Sequence, residues 1–501
     1  MMIRQEIAPC QSPEPIVYAM QPKSDSITRR LTSPTDPITH AGEIALRYTL
    51  GETQTPVAAY QLPNELESQL DLTICKEGES TDQVMRALEE LANATPRSTS
   101  TRFCNQLFSG SDPIATAADM LVPVINTSLY TFKAAGPMAM IERIIIAKMA
   151  GLLGFNGSPN KPEGIFTPGG SISNLVAMLI ARNETCPTLR NEGSQGKRII
   201  CYASADAHYS IIKNAGILGM GRQNVRQIPT DNTGAMNLSI LHQTVHDDLD
   251  AGHLPSMIIA TAGTTVRGAF DSIDQIIPIA REFGVWVHVD ACFGGAASLS
   301  PTHRHLLNGV ELADSVAWNP HKVMGVPLSA ATLITRKSGY LSKNFDETAD
   351  YLFQGDDDAL NPGTRSIQCG RRNDALKVWA AWKHHGDIGY RDRIDHLMSI
   401  AQYAASGIKA HDALILSCKP TYVNVCFEVV GKSSRAICDL LRERNELLVG
   451  HAEVDGRRVI RIPFVNGAIT TDDADEMLEL ILNAAQTLPA GDNAITSAPN
   501  C

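Results

Sequence analysis

The chain has 501 residues, of which 44% are hydrophobic and 19% are charged. This composition is ordinary for a globular protein, and the length supports a large core spread over about three domain-sized units. The net charge of −11 gives no reason to expect a nucleic-acid or anionic-membrane partner. It also means that a site for an anionic substrate must concentrate its own cations.

The cysteine content and the N-terminus predict a cytoplasmic protein. The 11 cysteines are an odd number without a Cys-x-x-Cys pair, which fits reduced thiols better than a disulfide framework or a zinc site. Residues 1–6 lack the apolar core of a signal peptide, and no apolar run reaches the length that spans a membrane. We expect neither a bound metal nor a membrane partner.

Composition separates the N-terminal region from the rest of the chain. Residues 1–60 are rich in Ser, Thr, Pro and Gln, which is loop composition and predicts a flexible arm. Residues 61–110 turn helical, and Ser80-Thr81-Asp82 can cap a helix over 83–92. A buried helix is predicted over 138–153.

From Gly164 the chain alternates strand and helix, the order of a mostly parallel sheet. We therefore predict an α/β large domain over 111–375, with helices that include 173–182 and 272–283. The predicted strands are 199–203, 257–262, 286–289, 315–318 and 331–335.

The C-terminal third is predicted to be a lid followed by a smaller α+β domain. Residues 338–366 have no regular pattern, and a loop this long in a compact enzyme is usually a mobile lid. The small domain is predicted over 376–487, and 488–501 is a tail. The predicted elements of the C-terminal part before the tail are a helix over 374–410, strands over 422–429 and 459–464, and a helix over 472–486.

Two short apolar runs end in polar residues. Val285-Trp286-Val287 leads to Asp290, and Ser315-Val316-Ala317-Trp318 leads to Lys322. Open α/β sheets bind ligands at such strand ends. A desolvated lysine tends to lose its proton and can then form a Schiff base with an aldehyde, while an aspartate can hold a pyridinium nitrogen. Alone, each residue fits a surface charge or a cap; together they point to pyridoxal phosphate.

A glycine-rich turn supplies a predicted phosphate site. Pro168-Gly169-Gly170-Ser171 opens a helix, where glycines let the backbone approach a ligand and the free N–H groups favour an anion. The pattern alone is common turn chemistry. With Lys322 downstream, we predict that Gly170 and Ser171 hold the phosphate.

The run His288-Val289-Asp290-Ala291, followed by Asn319-Pro320-His321-Lys322, resembles the signature of the group II pyridoxal phosphate-dependent decarboxylases. This family includes glutamate, cysteine sulfinate, aspartate and aromatic amino acid decarboxylases. The resemblance extends from about Arg102 to Arg461. It implies fold type I, an α/β fold with a mostly parallel sheet plus a smaller C-terminal domain, and a homodimer with active sites at its interface.

The resemblance also implies roles for individual residues. Lys322 would carry the cofactor, Asp290 would hold the ring nitrogen, and His208 would stack on the ring and support proton transfer. An isolated histidine at this place would more often be structural. The implied cofactor contacts are Gly170, Ser171, His208, Thr265, Asp290, Cys292, Asn319, His321 and Lys322.

Substrate and proton-transfer residues follow from further matches. Arg461 matches the arginine that binds the substrate carboxylate, and the loop with Asn105 and Gln106 resembles the pocket loop of the acidic branch. Tyr351 matches the catalytic-loop tyrosine, which would protonate Cα after loss of CO₂. Phenylalanine at that place is associated with oxidative deamination, so tyrosine favours simple decarboxylation. A tyrosine that only anchors the loop is the alternative.

We therefore expect α-decarboxylation of a small acidic L-amino acid, with aspartate (giving β-alanine) and cysteine sulfinate (giving hypotaurine) ahead of glutamate (giving GABA). Three departures from the family keep an aromatic or other non-acidic substrate open: Cys292-Phe293, the run 327–330 and the run 133–137. A non-catalytic regulatory paralogue and a pyridoxal phosphate aminotransferase are weaker alternatives.

Overall fold

The chain divides into two compact units. One comprises Met1–Thr55 with Leu62–Thr95, and the other comprises Pro56–Gln61 with Pro96–Cys501. The structure, a computed structural model, describes residues 36–50, 57–157, 161–347 and 360–490.

The described part of the first unit consists of three helices: α1 Pro37–Leu50, α2 Pro63–Gln69 and α3 Thr81–Ala94. Helix α3 confirms the helix predicted over 83–92, and the Ser80 side chain caps it. Helix α1 lies inside the predicted arm, so these residues are helical and do not form the loop that their composition predicted. A proline at the first helical position and the Asp36 carboxylate, which accepts from the Thr39 N–H at 2.8 Å, favour a helix start there.

The second unit contains the two sheets of the described chain. Its helices are α4 Pro113–Ile125, α5 Phe132–Ala135, α6 Pro137–Leu152, α7 Gly170–Thr185, α8 Leu189–Glu192, α9 Ser210–Ile217, α10 Leu238–Asp250, α11 Ile273–Phe283, α12 Tyr340–Phe345, α13 Ala375–Ala410, α14 Ser434–Glu443 and α15 Thr471–Thr487. Its strands are β1 Phe103–Cys104, β2 Glu163–Thr167, β3 Ile199–Ser204, β4 Val225–Ile228, β5 Leu254–Thr261, β6 Trp286–Asp290, β7 Ser315–Trp318, β8 Ala331–Thr335, β9 Leu414–Leu416, β10 Asn424–Val429, β11 Leu448–Val454 and β12 Arg457–Pro463.

The large sheet has the strand order β2-β8-β7-β6-β5-β3-β4. The strands from β7 to β4 are parallel, and β8 is antiparallel to both of its neighbours. The predicted mostly parallel sheet is therefore confirmed, and all five predicted strands are present. Strands β2 and β4 were not predicted, because each is short and carries polar or glycine residues that weaken the apolar pattern.

Register brings the carboxyl ends of three strands to one edge of this sheet. Thr261 at the end of β5 pairs with Asp290 at the end of β6, and Asp290 pairs with Ala317 in β7. The side chains of these strands are mostly buried and apolar, as expected of parallel strands covered on both faces. The polar groups at the strand ends are therefore the groups of this sheet that can interact with a ligand.

The small sheet has the strand order β1-β11-β12-β10-β9. Cys426 in β10 lies opposite Arg461 in β12, so the arginine selected from the sequence sits on a central strand. Helix α13 matches the helix predicted over 374–410, with a break at Gly386, whose φ of 63° is left-handed. No helix in the described ranges has the length and apolar character needed to cross a membrane.

The predicted lid over 338–366 is partly regular structure. Helix α12 begins at Tyr340, whose ring packs edge-on against Trp286 at 4.8 Å. The N–H of Leu341 donates to the Glu163 carboxylate at 2.7 Å. These tertiary contacts stabilise a helix that a local pattern did not predict. Residues 348–359, which include Tyr351, lie outside the described residues.

A buried ion pair joins α6 to the segment before α13. The Arg371 guanidinium lies 2.8 Å from the Glu142 carboxylate and also donates to the carbonyls of Leu129 and Phe166. Both charged residues are less than 5% exposed. The pair thus links three backbone segments around a desolvated carboxylate.

We expect Arg371→Met to lower the free energy of unfolding by about 3–5 kcal/mol, because it leaves the Glu142 charge buried without a partner. Urea-induced unfolding measures this change. The matched control is Arg372→Met: the Arg372 side chain is 45% exposed and should contribute about 1 kcal/mol or less. Equal effects of the two substitutions would contradict the assignment.

Candidate active site

A cavity of about 220 Å³ lies at the carboxyl ends of β5, β6 and β7. Eight of the nine predicted cofactor contacts line it, and they come from four loops and one helix start. The full lining is Gly170, Ser171, Asn174, His208, Tyr209, Thr261, Gly263, Thr265, Asp290, Cys292, Phe293, Asn319 and Lys322.

Asp290 presents a buried carboxylate to this cavity. One of its oxygens accepts from the Asn174 amide at 2.8 Å, and the other accepts from the Cys292 N–H at 3.2 Å. Burial alone would raise the pKa of Asp290, but hydrogen bonding by Cys292 and the positive charge of Lys322 outweigh it, so the pKa lies below its ordinary value. The carboxylate therefore stays ionised although it is desolvated.

A hydrogen-bonded row behind Asp290 was not predicted from the sequence. The His288 ring lies 3.0 Å from the Asn174 side-chain oxygen and 2.8 Å from the Ser315 hydroxyl. Burial lowers the pKa of His288 to about 4, so the ring is neutral near neutral pH. Asn174 thus has its oxygen on His288 and its amide on Asp290. The signature contained His288, but only the fold places it beside Asn174.

Lys322 follows β7 in a tight turn. Its N–H donates to the Asn319 carbonyl at 3.1 Å, and its amine lies 5.8 Å from the centre of the Phe293 ring. The side chain is partly exposed to the cavity rather than fully buried. An amine here faces the same space as the Asp290 carboxylate.

The start of α7 also lines the cavity. The helix begins at Gly170, and the first intrahelical hydrogen bonds come from the N–H groups of Ile172 and Ser173. The N–H groups of Gly170 and Ser171 therefore have no intrahelical acceptor. A Cβ atom at Gly170 would lie 2.5 Å from the Cys292 sulfur and 2.8 Å from the Asn319 amide, so only glycine fits.

Pyridoxal phosphate suits this set of groups. The free N–H groups of α7 suit a phosphate, an ionised carboxylate suits a pyridinium, and an amine suits an aldehyde. Two buried lining atoms, the side-chain oxygens of Thr261 and Asn319, have no hydrogen-bond partner within the described chain. Buried polar atoms are normally satisfied, so a polar ligand accounts for both.

His208 is fixed beside the cavity by Ser210. The hydroxyl of Ser210 lies 2.8 Å from Nδ1 of His208, and the Ser210 N–H donates to the same nitrogen at 3.3 Å. Burial lowers the pKa of His208, and the charge of Asp290 only partly opposes this shift. The neutral His208 ring faces the cavity, and its Nε2 takes no part in the contacts with Ser210.

The small sheet holds the loop that follows β5. The carbonyl of Thr265 accepts from Arg461 at 3.1 Å and from Asn424 at 3.0 Å. Arg461 also donates to the Asn105 carbonyl at 2.5 Å. Two side chains of the small sheet therefore fix a cavity-lining residue of the large sheet. Asn424 was not selected from the sequence, because an asparagine in an alternating strand carries no motif.

Four sequence-selected residues do not line the cavity. Arg461 and Asn105 lie behind Thr265, and Gln106 is exposed. The His321 ring is turned toward the backbone of Ala330, with Nδ1 2.6 Å from its carbonyl oxygen. Burial lowers the pKa of His321 to about 4, so this ring is a neutral neighbour of the Lys322 turn.

Comparison with known proteins identifies the family of this chain. The model of the pyridoxal-dependent decarboxylase conserved domain matches residues 63–430. The human cysteine sulfinic acid decarboxylase is 36% identical over 455 residues, which cover 86% of this chain and 92% of that protein. An acidic amino acid decarboxylase of Mus musculus is 34% identical over 462 residues, which cover 88% and 83%.

Solved structures show the same fold. The crystal structure of mouse CSAD in apo form has a TM-score of 0.84 at 33% identity and covers 89% of this chain and 100% of that one. The structure of Oryza sativa TDC with PLP and tryptamine also has a TM-score of 0.84, at 23% identity, and covers 92% and 98%. The chain therefore belongs to the pyridoxal-dependent decarboxylase family and is an amino acid decarboxylase of fold type I that uses pyridoxal phosphate.

Proposed function

We propose that the protein removes the α-carboxylate of a small acidic L-amino acid, with aspartate and cysteine sulfinate ahead of glutamate. The observation that carries this proposal is Arg461. The residue is 9% exposed, its guanidinium forms no ion pair among the described residues, and its Nε has no partner there. Guanidinium groups stay charged, and buried charges are normally paired. A substrate anion would supply the missing partner.

The relatives favour the same substrate class. One is named a cysteine sulfinic acid decarboxylase and another an acidic amino acid decarboxylase. An aromatic substrate remains the second candidate, because Cys292 and Phe293 at the cavity depart from the family pattern. An aromatic side chain, however, carries no anion, whereas the side-chain carboxylate or sulfinate of an acidic substrate would pair with the Arg461 guanidinium.

We assign the cofactor contacts as follows. Lys322 would hold the aldehyde carbon, the Asp290 carboxylate would hold the proton on the ring nitrogen, and the N–H groups of Gly170 and Ser171 would hold the phosphate. His208 packs against the ring. Thr265, Cys292 and Asn319 complete the contacts from the lining, and His321 supports the Lys322 turn from outside the cavity.

Bound pyridoxal phosphate supplies an electron sink for the electron pair that CO₂ leaves behind. Within the protein, Asp290 stabilises positive charge on the ring nitrogen, which a desolvated carboxylate does more strongly than one in water. Tyr351, outside the described residues, would donate a proton to Cα, and the Lys322 amine would displace the amine product from the cofactor. Asn105 and Gln106 are proposed to contact the substrate beside Arg461.

A homodimer fits the exposed apolar surface of the second unit. Monomeric proteins rarely expose large contiguous apolar patches, and an isologous contact of this surface with a second copy would cover these side chains. The exposed apolar side chains of α4 and α6 are Ile114, Met120, Leu121, Val124, Ile125, Met140 and Ile144.

We also propose a cytoplasmic location, in line with the nine described cysteines, all of which are free.

The proposed function is tested by CO₂ release from aspartate, cysteine sulfinate, glutamate and an aromatic amino acid in parallel. We expect release from one of the two favoured substrates to exceed the others. The Lys322→Ala variant should lose turnover, because no other lining residue offers an amine. Release from the aromatic substrate alone, or full turnover by Lys322→Ala, would overturn the proposal.

Arg461→Met tests the substrate contact. We expect kcat/KM for the preferred acidic substrate to fall about 30-fold or more, because losing one partner of a buried charge pair costs about 2 kcal/mol or more. Arg458→Met is the matched control, since Arg458 lies on the same strand but is exposed. An unchanged KM in Arg461→Met would remove Arg461 from the substrate site.

Tyr351→Phe tests the proton donor. We expect amine production to fall because the Cα proton is no longer delivered. Aldehyde and ammonia should form instead, in a reaction that consumes O₂ and water and releases hydrogen peroxide. Product analysis by mass spectrometry separates the two outcomes. Amine production at the wild-type rate would assign Tyr351 to anchoring the loop.

The neutral His288 predicts a pH dependence of stability. The unfolded chain binds a proton on this imidazole below about pH 6.5, whereas the folded protein does so only near pH 4. Stability should therefore fall between pH 6.5 and 4, by up to about 3 kcal/mol from this residue. Urea unfolding of wild type and His288→Gln across this range measures the difference. If the free energy of unfolding depends on pH in the same way in both proteins, His288 does not contribute to the pH dependence of stability.

A further inference from the structure

The turn that carries Lys322 is held from behind by Arg393 of helix α13. The Arg393 Nε donates to the carbonyl of Val323, the residue after Lys322, at 2.7 Å. Its Nη2 donates to the carbonyl of Val465 at 2.9 Å. Val465 lies two residues beyond the end of β12, the strand that carries Arg461. One side chain thus bonds to the backbone next to Lys322 and to the backbone four residues after Arg461.

Two glycines make room for this guanidinium. A Cβ atom at Gly325 would lie 2.7 Å from Nη2 of Arg393, and one at Gly467 would overlap Nη1. Gly325 also has a φ of +73°, which disfavours other residues. Glycine therefore stands on both sides of the guanidinium, one in the Lys322 turn and one in the loop after β12.

Both hydrogen bonds of Arg393 go to backbone carbonyls, and it forms no ion pair within the described ranges. A guanidinium presents several donors in a fixed planar fork. It can therefore bind two carbonyls at once and fix the distance between them. Pairing with a single carboxylate would not use the guanidinium in this way. This arrangement fits a residue that positions backbone rather than one that neutralises charge.

Neighbouring contacts fix the same two segments. The Gly325 N–H donates to the Lys322 carbonyl at 3.0 Å, and the Gly325 carbonyl accepts from the Asp112 N–H at 3.0 Å. On the other side, His396, one turn further along α13, lies 2.8 Å from the Ile469 carbonyl. Arg393 is the one side chain among the described residues that bonds to the carbonyls of both Val323 and Val465.

We propose that Arg393 is a positioning residue that couples the cofactor half of the site to its substrate half. It holds the Lys322 turn and the loop after Arg461 at a fixed separation. The Lys322 amine and the substrate-binding guanidinium of Arg461 therefore keep a constant distance from each other. This inference rests on the roles proposed above for Lys322 and Arg461.

Arg393→Met removes both donors, and Arg393→Lys keeps the charge with a donor that can reach one carbonyl. For Arg393→Met we expect the Kd for pyridoxal phosphate and the KM for the amino acid each to rise about tenfold, because two buried carbonyls lose their partner. The share of chains that carry the cofactor on Lys322 after borohydride reduction should fall, as measured by intact mass. Arg393→Lys should recover part of each loss.

Arg336→Met is the matched control. Arg336 also donates to a backbone carbonyl, that of Ala313 at 3.0 Å, and is partly buried, but it lies away from the cavity lining. We expect Arg336→Met to lower the melting temperature without changing KM, cofactor Kd or labelling of Lys322. If Arg393→Met does not fold, Arg393→Lys carries the test against the same control.

Wild-type KM, cofactor Kd and labelling in a folded Arg393 variant would overturn the inference, even if its melting temperature fell, because the role would then be stability alone. A wild-type protein that neither releases CO₂ nor carries the cofactor on Lys322 would overturn the proposed function, and this inference with it. The wild-type measurement is therefore made first, and it separates the two failures.

Discussion

The buried carboxylate of Asp290 determines what the rest of the site must supply. Burial would drive Asp290 toward its neutral form, so the fold must supply donors and a positive charge to keep it ionised. Asn174 from α7, the backbone of Cys292 and the amine of Lys322 provide them. These groups come from separate segments of the chain, so the site exists only when the large sheet is assembled.

The small sheet also helps to form the site, because it fixes a loop of the large sheet. The loop after β5 brings Thr265 to the cavity, but Asn424 and Arg461 from the small sheet bind its carbonyl. Neither sheet alone would fix this lining residue. The backbone hydrogen bonds of Arg393 extend the same logic to the Lys322 turn. Precision at the cavity thus depends on polar side chains that bridge the two sheets.

Much of this was predictable because the signals are local. Strands β7 and β8 appear at their predicted bounds, since buried apolar runs bounded by polar residues are read directly from the chain. The cavity brings together Lys322, Asp290, His208, Gly170 and Ser171, because parallel strands bring their carboxyl ends to one edge. Helices α1 and α12 were missed: one starts at a proline that reads as a breaker, and the other depends on the Trp286 and Glu163 contacts.

The sequence by itself determined the fold class and the cofactor. It also singled out Asp290 and Lys322 as the residues proposed to act on that cofactor, because the motifs that contain this strand-end aspartate and lysine are local in the chain. Tertiary structure alone decided which groups support them. The row Ser315–His288–Asn174–Asp290 spans more than 140 positions, and Arg393 reaches 70 residues back to Val323 and 72 forward to Val465. Such pairings follow from strand register and helix packing, and no periodicity in the chain records them.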